Sequence, residues 1–256
     1  MFGFYNTLLR VDLTNQRATT EPISDEMLQV GLGGKGLATQ LLLREVPTKV
    51  DPLSPQNPLI FAIGPIANTA MPGASRYGVY AKAPLTGAFG ESYSGGHVAP
   101  VMKKAGYDAI ILQGAAKSPV YLEISDQGVK FHSADHLWGK DTYEAEESMI
   151  KEVGVPKAQA VVIGPAGEKM VRYAVIENNK WRSAGRTGMG ALMGSKKVKG
   201  IVFHGQKECQ IADPAGLAKF AAELTKRGNA DATVKNYRRL GTPMMVAVNN
   251  TNVSFP

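Results

Sequence analysis

The residues best suited to chemistry lie between Trp181 and Gly190, reading W-R-S-A-G-R-T-G-M-G. This stretch holds two arginines, three glycines and the hydroxyls of Ser183 and Thr187, with no acidic group. Glycine lets a backbone turn tightly and approach a ligand, because no Cβ intrudes. Successive N–H groups in such turns form a concavity suited to anions. Guanidinium forks match phosphate oxygens. The chemistry indicated is the binding of a phosphate-bearing ligand.

Other candidates carry less. His132 and His136 have the spacing of a helical zinc pair, but S-A-D-H-L-W-G reads as a loop after a strand, where a satisfied or solvated histidine is expected. His97 adjoins Ser94-Gly95-Gly96, and His204 and Cys209 read as structural. Lys196, Lys197 and Lys199 lack interleaved aromatics and read as a solvated basic face, not a nucleic-acid surface. Gly31–Gly36 holds a Gly-Lys pair before a helix, but no Ser or Thr follows Lys35 as a phosphate loop requires. A turn that packs its helix closely is the better account.

The elements that must position these groups alternate between strands and helices. Strands are expected at Leu8–Leu13, Arg17–Glu21, Leu59–Ile63, Arg76–Lys82, Ala109–Leu112, Val120–Ile124, Val129–Phe131 and Ala160–Ile163. Helices are expected from Ser24 to Val30, Leu37 to Glu45 and Thr142 to Val153. A further helix is expected to open at Glu91–Gly96 and end near Lys104. From about Asp213 the character changes: Leu217–Arg227, Lys235–Leu240 and Met244–Val248 all read as helix.

Two parts of the chain correspond. Ile63-Gly64-Pro65 and Ile163-Gly164-Pro165 each close a strand, and each is followed by an arginine-bearing strand, Arg76-Tyr-Gly-Val or Arg172-Tyr-Ala-Val. A glycine-rich turn into a short helix comes next, Ser94-Gly-Gly or Gly185-Arg-Thr-Gly. Strands ending at Gly114 and Gly205 close each part, and aligning them superimposes Met102 on Met193. Ordered self-similarity marks repeated structural units. The expected fold is therefore α+β: two half-units related by a pseudo-twofold axis, spanning about 55–115 and 158–206, with mixed sheets and short helices. They lie in a domain over 1–210, and 211–256 begins an all-helical domain.

Helix N-termini carry free N–H groups and partial positive charge, so matched glycine-rich helix starts imply a ligand with two anionic arms. Packing glycines and arginines in weak surface ion pairs are the bland alternative.

The totals agree. A chain of 256 residues buries roughly three quarters of its unfolded surface. Its net charge of +7 suggests an anionic partner without naming it. A single cysteine excludes intrachain disulfides and points to a reducing compartment. With no signal-peptide pattern and no long apolar run, a cytoplasmic protein without a membrane span is expected.

Asp51-Pro-Leu-Ser-Pro55, Ala105-Gly-Tyr-Asp-Ala109, Ile163-Gly-Pro-Ala-Gly167, Ala184-Gly-Arg186 and Gly190-Ala-Leu-Met-Gly-Ser-Lys196 resemble the N-terminal part of aldehyde ferredoxin oxidoreductases, the tungsten enzymes of anaerobes. The resemblance covers nearly the whole chain. It implies a base for a bis-pterin cofactor of tungsten or molybdenum, aldehyde oxidation to carboxylic acids, and electron flow through a [4Fe–4S] cluster to ferredoxin. It places Arg76, Tyr93, Ser94, Gly95, Gly96, Arg182, Ser183, Ala184, Gly185 and Arg186 at the cofactor. The backbone carbonyls of Tyr93 and Ser183 would face a Mg²⁺ bridging the pterin phosphates. At those two positions the family has asparagine and alanine. The cluster cysteines and acid–base residues would lie beyond this chain, so no catalytic residue is expected within it and the fragment alone would be inactive. A homodimer or a partner subunit is compatible. The alternative is a non-catalytic phosphate- or cofactor-binding module, or a subunit relying on a partner chain.

Overall fold

In the computed structural model, which describes residues 1–254, the apolar run Leu59–Ile63 forms β3 with all five residues buried. A strand covered on one side alternates in polarity, whereas one covered on both reads as a continuous apolar run. Leu59, Phe61 and Ile63 enter one core cluster, while Ile60 and Ala62 enter another with the helices α1 (Asp25–Gly31) and α2 (Gly34–Glu45).

β3 belongs to the first of two six-stranded mixed sheets. Its other strands are β1 (Thr7–Asp12), β2 (Arg17–Pro22), β4 (Tyr77–Lys82), β5 (Phe89–Ser94) and β6 (Ala109–Gln113), in the order β2-β1-β6-β3-β4-β5. The second sheet holds β7 (Val120–Ser125), β8 (Gly128–Ser133), β9 (Gln159–Val162), β10 (Ile176–Asn178), β11 (Arg182–Ala184) and β12 (Val198–Phe203). Its order is β11-β10-β9-β12-β7-β8, which read from its other end is the first order with each strand six places later. The senses agree as well: β1 with β6 and β7 with β12 are the parallel pairs, and the other ladders are antiparallel. The repeated order takes in the hairpins β1–β2 and β7–β8, which the sequence correspondences leave out.

Between the sheets, α3 (Val98–Lys104) and α6 (Met189–Ser195) contribute Val98, Met102, Met189, Leu192 and Met193 to the core that both sheets share. The offset that places Gly114 on Gly205 also places Gly96 (φ +89°) on Thr187 (φ +69°) and Gly106 (φ +91°) on Lys197 (φ +56°). α4 (Thr142–Val153) covers the outer face of the second sheet through Ala145 and Met149. Asp141 caps α4 by accepting from Glu144 N at 2.9 Å, and Gly154 closes it with φ +68°.

Several expectations are corrected. Glu91–Ser94 is not the start of a helix but the edge strand β5, in which Ser92 and Ser94 are buried; α3 begins only at Val98. Arg172–Ala174 lies in a turn, and the strand equivalent to β4 starts at Ile176. Arg182–Ala184 forms the strand β11. His132 lies in β8, not in a loop, and His136 in a short 3₁₀ turn. Lys196 and Lys199 are not on a solvated face, being fully buried; Lys197 alone is exposed.

A second compact unit gathers Ala70–Gly73 with the chain from Asp213 onward. It is helical: α7 (Pro214–Ala230), α8 (Ala232–Leu240) and α9 (Met244–Thr251). Asp213 and Asp231 cap α7 and α8 by accepting from Gly216 N and Val234 N at 2.8 and 2.9 Å. The last two positions of the expected helical segment lie outside the described residues. Among the described residues, no helix is long and apolar enough to cross a membrane.

Candidate functional site

β5 and β11 are edge strands of their own sheets, and they meet. Arg186 N donates to the buried Ser92 Oγ at 3.0 Å. Asn178, fully buried at the end of β10, reaches across the same joint. Its Oδ1 accepts from Ser94 Oγ at 2.6 Å and Tyr77 OH at 2.9 Å, and its Nδ2 donates to Gly95 O at 3.0 Å. Asn179 Oδ1 accepts from His97 N at 2.8 Å. Asn179 N and Lys180 N donate to the buried Glu146 of α4 at 2.7 and 3.1 Å. These polar links tie the turn after β5 to the β10–β11 hairpin.

The glycines of the two turns divide into two kinds. Gly96 has φ +89°, and a Cβ on it would collide with Asn179 Oδ1 and stand 3.0 Å from Asn178 Nδ2. Gly188 packs on the Arg172 carbonyl and Gly190 on that of Val175, with no room for a side chain. Gly95 and Gly185 differ: neither has a positive φ, a Cβ on Gly95 would meet no atom within 4 Å, and one on Gly185 would meet Ser183 Oγ at 3.5 Å. Neither packing nor backbone conformation calls for glycine at these two places. Bare backbone facing open space is what a closely approaching ligand requires.

Arg76, Arg182 and Arg186 are exposed at this joint, and among the described residues none of their guanidinium groups makes a hydrogen bond or ion pair. Arg76 precedes Tyr77, whose ladder partner is Ser94. Arg182 pairs with Asn178 in the hairpin, and its Cγ would lie 3.4 Å from a Cβ on Gly96. Arg186 is fixed through its backbone to Ser92. Three guanidinium groups without a counter-charge form an anion-attracting surface. The alternative of surface ion pairs does not apply to them.

The remaining expected residues fall in the same place. Tyr93 projects from β5 half-exposed, edge-on to Tyr80 with ring centroids 5.9 Å apart, and donates to Glu91 Oε2 at 2.9 Å. Lys35 meets the same carboxylate oxygen at 2.8 Å. That ion pair holds the Glu91 carboxyl below its ordinary range. Ser183 is exposed and pairs with Glu177 across the hairpin, while Ala184 is buried. Burial, then the charge of Glu146, pushes the Glu177 carboxyl up.

The other histidines hold carboxylates. His132 and His204 bind Glu123 at 2.8 and 3.0 Å, and His136 binds Glu152 at 2.8 Å. Among the described residues, no group of three or more His, Cys, Asp or Glu is placed to hold a metal. Gly31, Gly33 and Gly36 pack against neighbouring backbone and side chains, as expected of a packing turn. Sequence reasoning missed Asn178, Asn179 and Glu146. The signal available was Asn179-Lys180, both at positive φ (49° and 60°), a turn pair joining two short strands.

The family described as "Aldehyde ferredoxin oxidoreductase, N-terminal domain" matches residues 8–205. The chain belongs to the aldehyde ferredoxin oxidoreductase family. A tungsten-containing aldehyde ferredoxin oxidoreductase of Pyrococcus furiosus is 40% identical over 100% of this chain and 42% of its own length. Its counterpart from Thermococcus kodakarensis gives the same figures. The WOR-like subunit of an aliphatic sulfonate oxidoreductase of Pyrococcus furiosus is 36% identical over 80% of this chain and 35% of its own length. Among solved structures, the active-site complex BamBC of benzoyl coenzyme A reductase with 1,5-dienoyl-CoA is similar. It has a TM-score of 0.86 and 37% identity, covering 90% of this chain and 35% of that one. The chain thus spans 42% of the length of the aldehyde ferredoxin oxidoreductases it matches.

Proposed function

We propose that this chain forms the base of a tungsten-pterin site in a cytoplasmic aldehyde:ferredoxin oxidoreductase of an anaerobe, with residues 1–210 carrying the cofactor and 211–256 beginning the helical part. The observation that carries this reading is the pair Gly95 and Gly185. Each sits in a strand-to-helix turn beside unpaired arginines, bare of side chain for no internal reason. The residues present fit a ligand with two phosphate arms, one for each turn.

In this reading Arg76 with Tyr93–Gly96 serves one arm, and Arg182 with Ser183–Arg186 serves the other. The guanidinium groups bind phosphate by charge-assisted hydrogen bonds, and the backbone at Gly95 and Gly185 lets the arms approach. The carbonyls of Tyr93 and Ser183 would hold a Mg²⁺ that offsets the phosphate charge. The buried polar network below holds the turns rigid before the ligand arrives. When bound, the metal–pterin group supplies the two-electron chemistry that turns an aldehyde into a carboxylic acid. The [4Fe–4S] cluster that passes electrons to ferredoxin takes its ligands from outside this chain, which has one cysteine.

The names of two similar proteins, a WOR-like subunit and the BamBC complex, favour a second reading, in which the protein works as a subunit beside a partner chain. Purification from the native host separates the two, because a catalytic subunit of a complex co-purifies with its redox partner. The reading itself is tested by metal and pterin analysis of protein expressed from the complete gene. Folded protein free of pterin refutes it.

A further inference from the structure

We propose that Asn178 is the positioning residue that fixes the separation of the two ligand-binding turns, an inference that rests on reading the joint as a pterin cradle. The side chain belongs to the second sheet, yet it grips the turn of the first. Of its four hydrogen bonds, three end on Tyr77, Ser94 and Gly95, and the fourth runs from Nδ2 to Asn179 Oδ1 at 3.1 Å. A primary amide offers two donors and an oxygen that accepts two. The capacity of Asn178 is therefore filled. The Gly95 carbonyl can only accept, which sets the orientation of the amide.

What Asn178 holds is the part of the backbone that faces the ligand. Gly95 is one of the two glycines required by neither packing nor φ. The next residue continues the arrangement: Asn179 Oδ1 fixes His97 N, and the Asn179 amide N–H is anchored on Glu146. Burial pushes the Tyr77 phenol far above its ordinary range, so it remains a donor to Asn178. A ligand with two anionic arms binds tightly only if both turns are already at the right distance. Outer partners that orient a binding shell typically contribute about 10–100-fold in affinity.

The test uses Asn178→Leu, Tyr77→Phe and Lys196→Met in protein expressed from the complete gene and purified without oxygen. Tungsten and molybdenum are measured by mass spectrometry, pterin by fluorescence after oxidation, and Tm by calorimetry. Lys196 is the comparison. It is equally buried and also crosses to the first half, donating to Pro55 O at 3.1 Å and Gly114 O at 3.0 Å, but it follows the C-terminal end of α6, the end opposite the Gly185–Gly188 turn.

Asn178→Leu is expected to lose metal and pterin together by about tenfold or more. Tyr77→Phe keeps its shape and loses one donor, and is expected to lower cofactor affinity about fivefold. Lys196→Met keeps wild-type content whatever its shift in Tm. The positioning role is overturned if Asn178→Leu and Tyr77→Phe retain wild-type content, or if Lys196→Met loses as much cofactor as they do for the same fall in Tm. Should Asn178→Leu fail to fold, Tyr77→Phe decides. Wild-type protein without pterin instead overturns the cradle reading, and the proposal with it.

Discussion

Gly96 and Arg182 come from different halves of the molecule, yet a Cβ on the glycine would stand 3.4 Å from the arginine's Cγ. The contact locates the joint where β5 and β11 meet. It also marks Gly96 as a glycine that the fold itself requires.

Gly96→Ala is therefore expected to destabilise the protein. It would place a side chain at φ +89° and drive it into Asn179, at a cost of about 1–3 kcal/mol. Gly95→Ala and Gly185→Ala are expected to keep stability within about 1 kcal/mol of wild type while depleting bound cofactor. Melting curves alongside pterin content check this contrast. A large loss of stability in Gly95→Ala would mean that packing accounts for that glycine after all.

The unpaired arginines predict anion binding even without cofactor. Pyrophosphate should raise the Tm of cofactor-free protein, because a ligand that binds only the folded state stabilises it by mass action. The rise should shrink with added salt and vanish in Arg182→Gln/Arg186→Gln. A rise that survives in the double variant places the anion elsewhere.

Each half buries an ion pair: Lys103 with Asp108 at 3.0 Å, and Lys199 with Glu168 at 2.5 Å. The offset that aligns Gly114 with Gly205 puts Asp108 on Lys199, so the sign of the charge is reversed at equivalent positions. Lys199→Met should cost about 3–5 kcal/mol by leaving Glu168 buried and unpaired. Adding Glu168→Met should recover most of that loss. Denaturant unfolding of both variants measures the difference, and equal losses would show that the pair is not coupled.

Two groups make stability depend on pH in separate windows. Burial works to raise the Glu123 carboxyl, but hydrogen bonds from Lys130, His204 and His132 outweigh it and hold the group at about 2. A depressed folded-state pKa stabilises above the unfolded value and loses that contribution as pH falls through the folded one. Glu123→Gln should therefore flatten the acid limb between the ordinary carboxylate range and about pH 2. Burial brings Lys196 down to about 7. The unfolded chain then holds more protons above that pH, so stability should rise from pH 7 toward the ordinary lysine range. Lys196→Met should remove this slope, and Tm measured across pH tests both.

Much of the fold was legible in the sequence. Leu59–Ile63 and Ala109–Leu112 read as strands because burial on both faces leaves no polar position. β5 was not legible. Its edge position and the small buried side chains of Ser92 and Ser94 leave a weak apolar signal, and Ser94-Gly-Gly before a helix imitates a cap. The hairpins β1–β2 and β7–β8 correspond in strand order but share little sequence, so topology alone exposes their equivalence. The arginines and glycines of the site carry their chemistry in their residue types. Asn178 does not, since its role depends on three partners about a hundred residues or fewer away along the chain. Lys196 and Lys199 looked solvated because charge is usually exposed, and only their carbonyl and carboxylate partners make burial tolerable.

The most direct test of the central claim is the tungsten, molybdenum and pterin content of protein expressed from its complete gene and purified anaerobically, wild type beside Arg182→Gln/Arg186→Gln. The account predicts metal and pterin together in the wild type and their loss in the folded double variant. Folded wild-type protein lacking pterin, or a double variant that retains it in full, would contradict it.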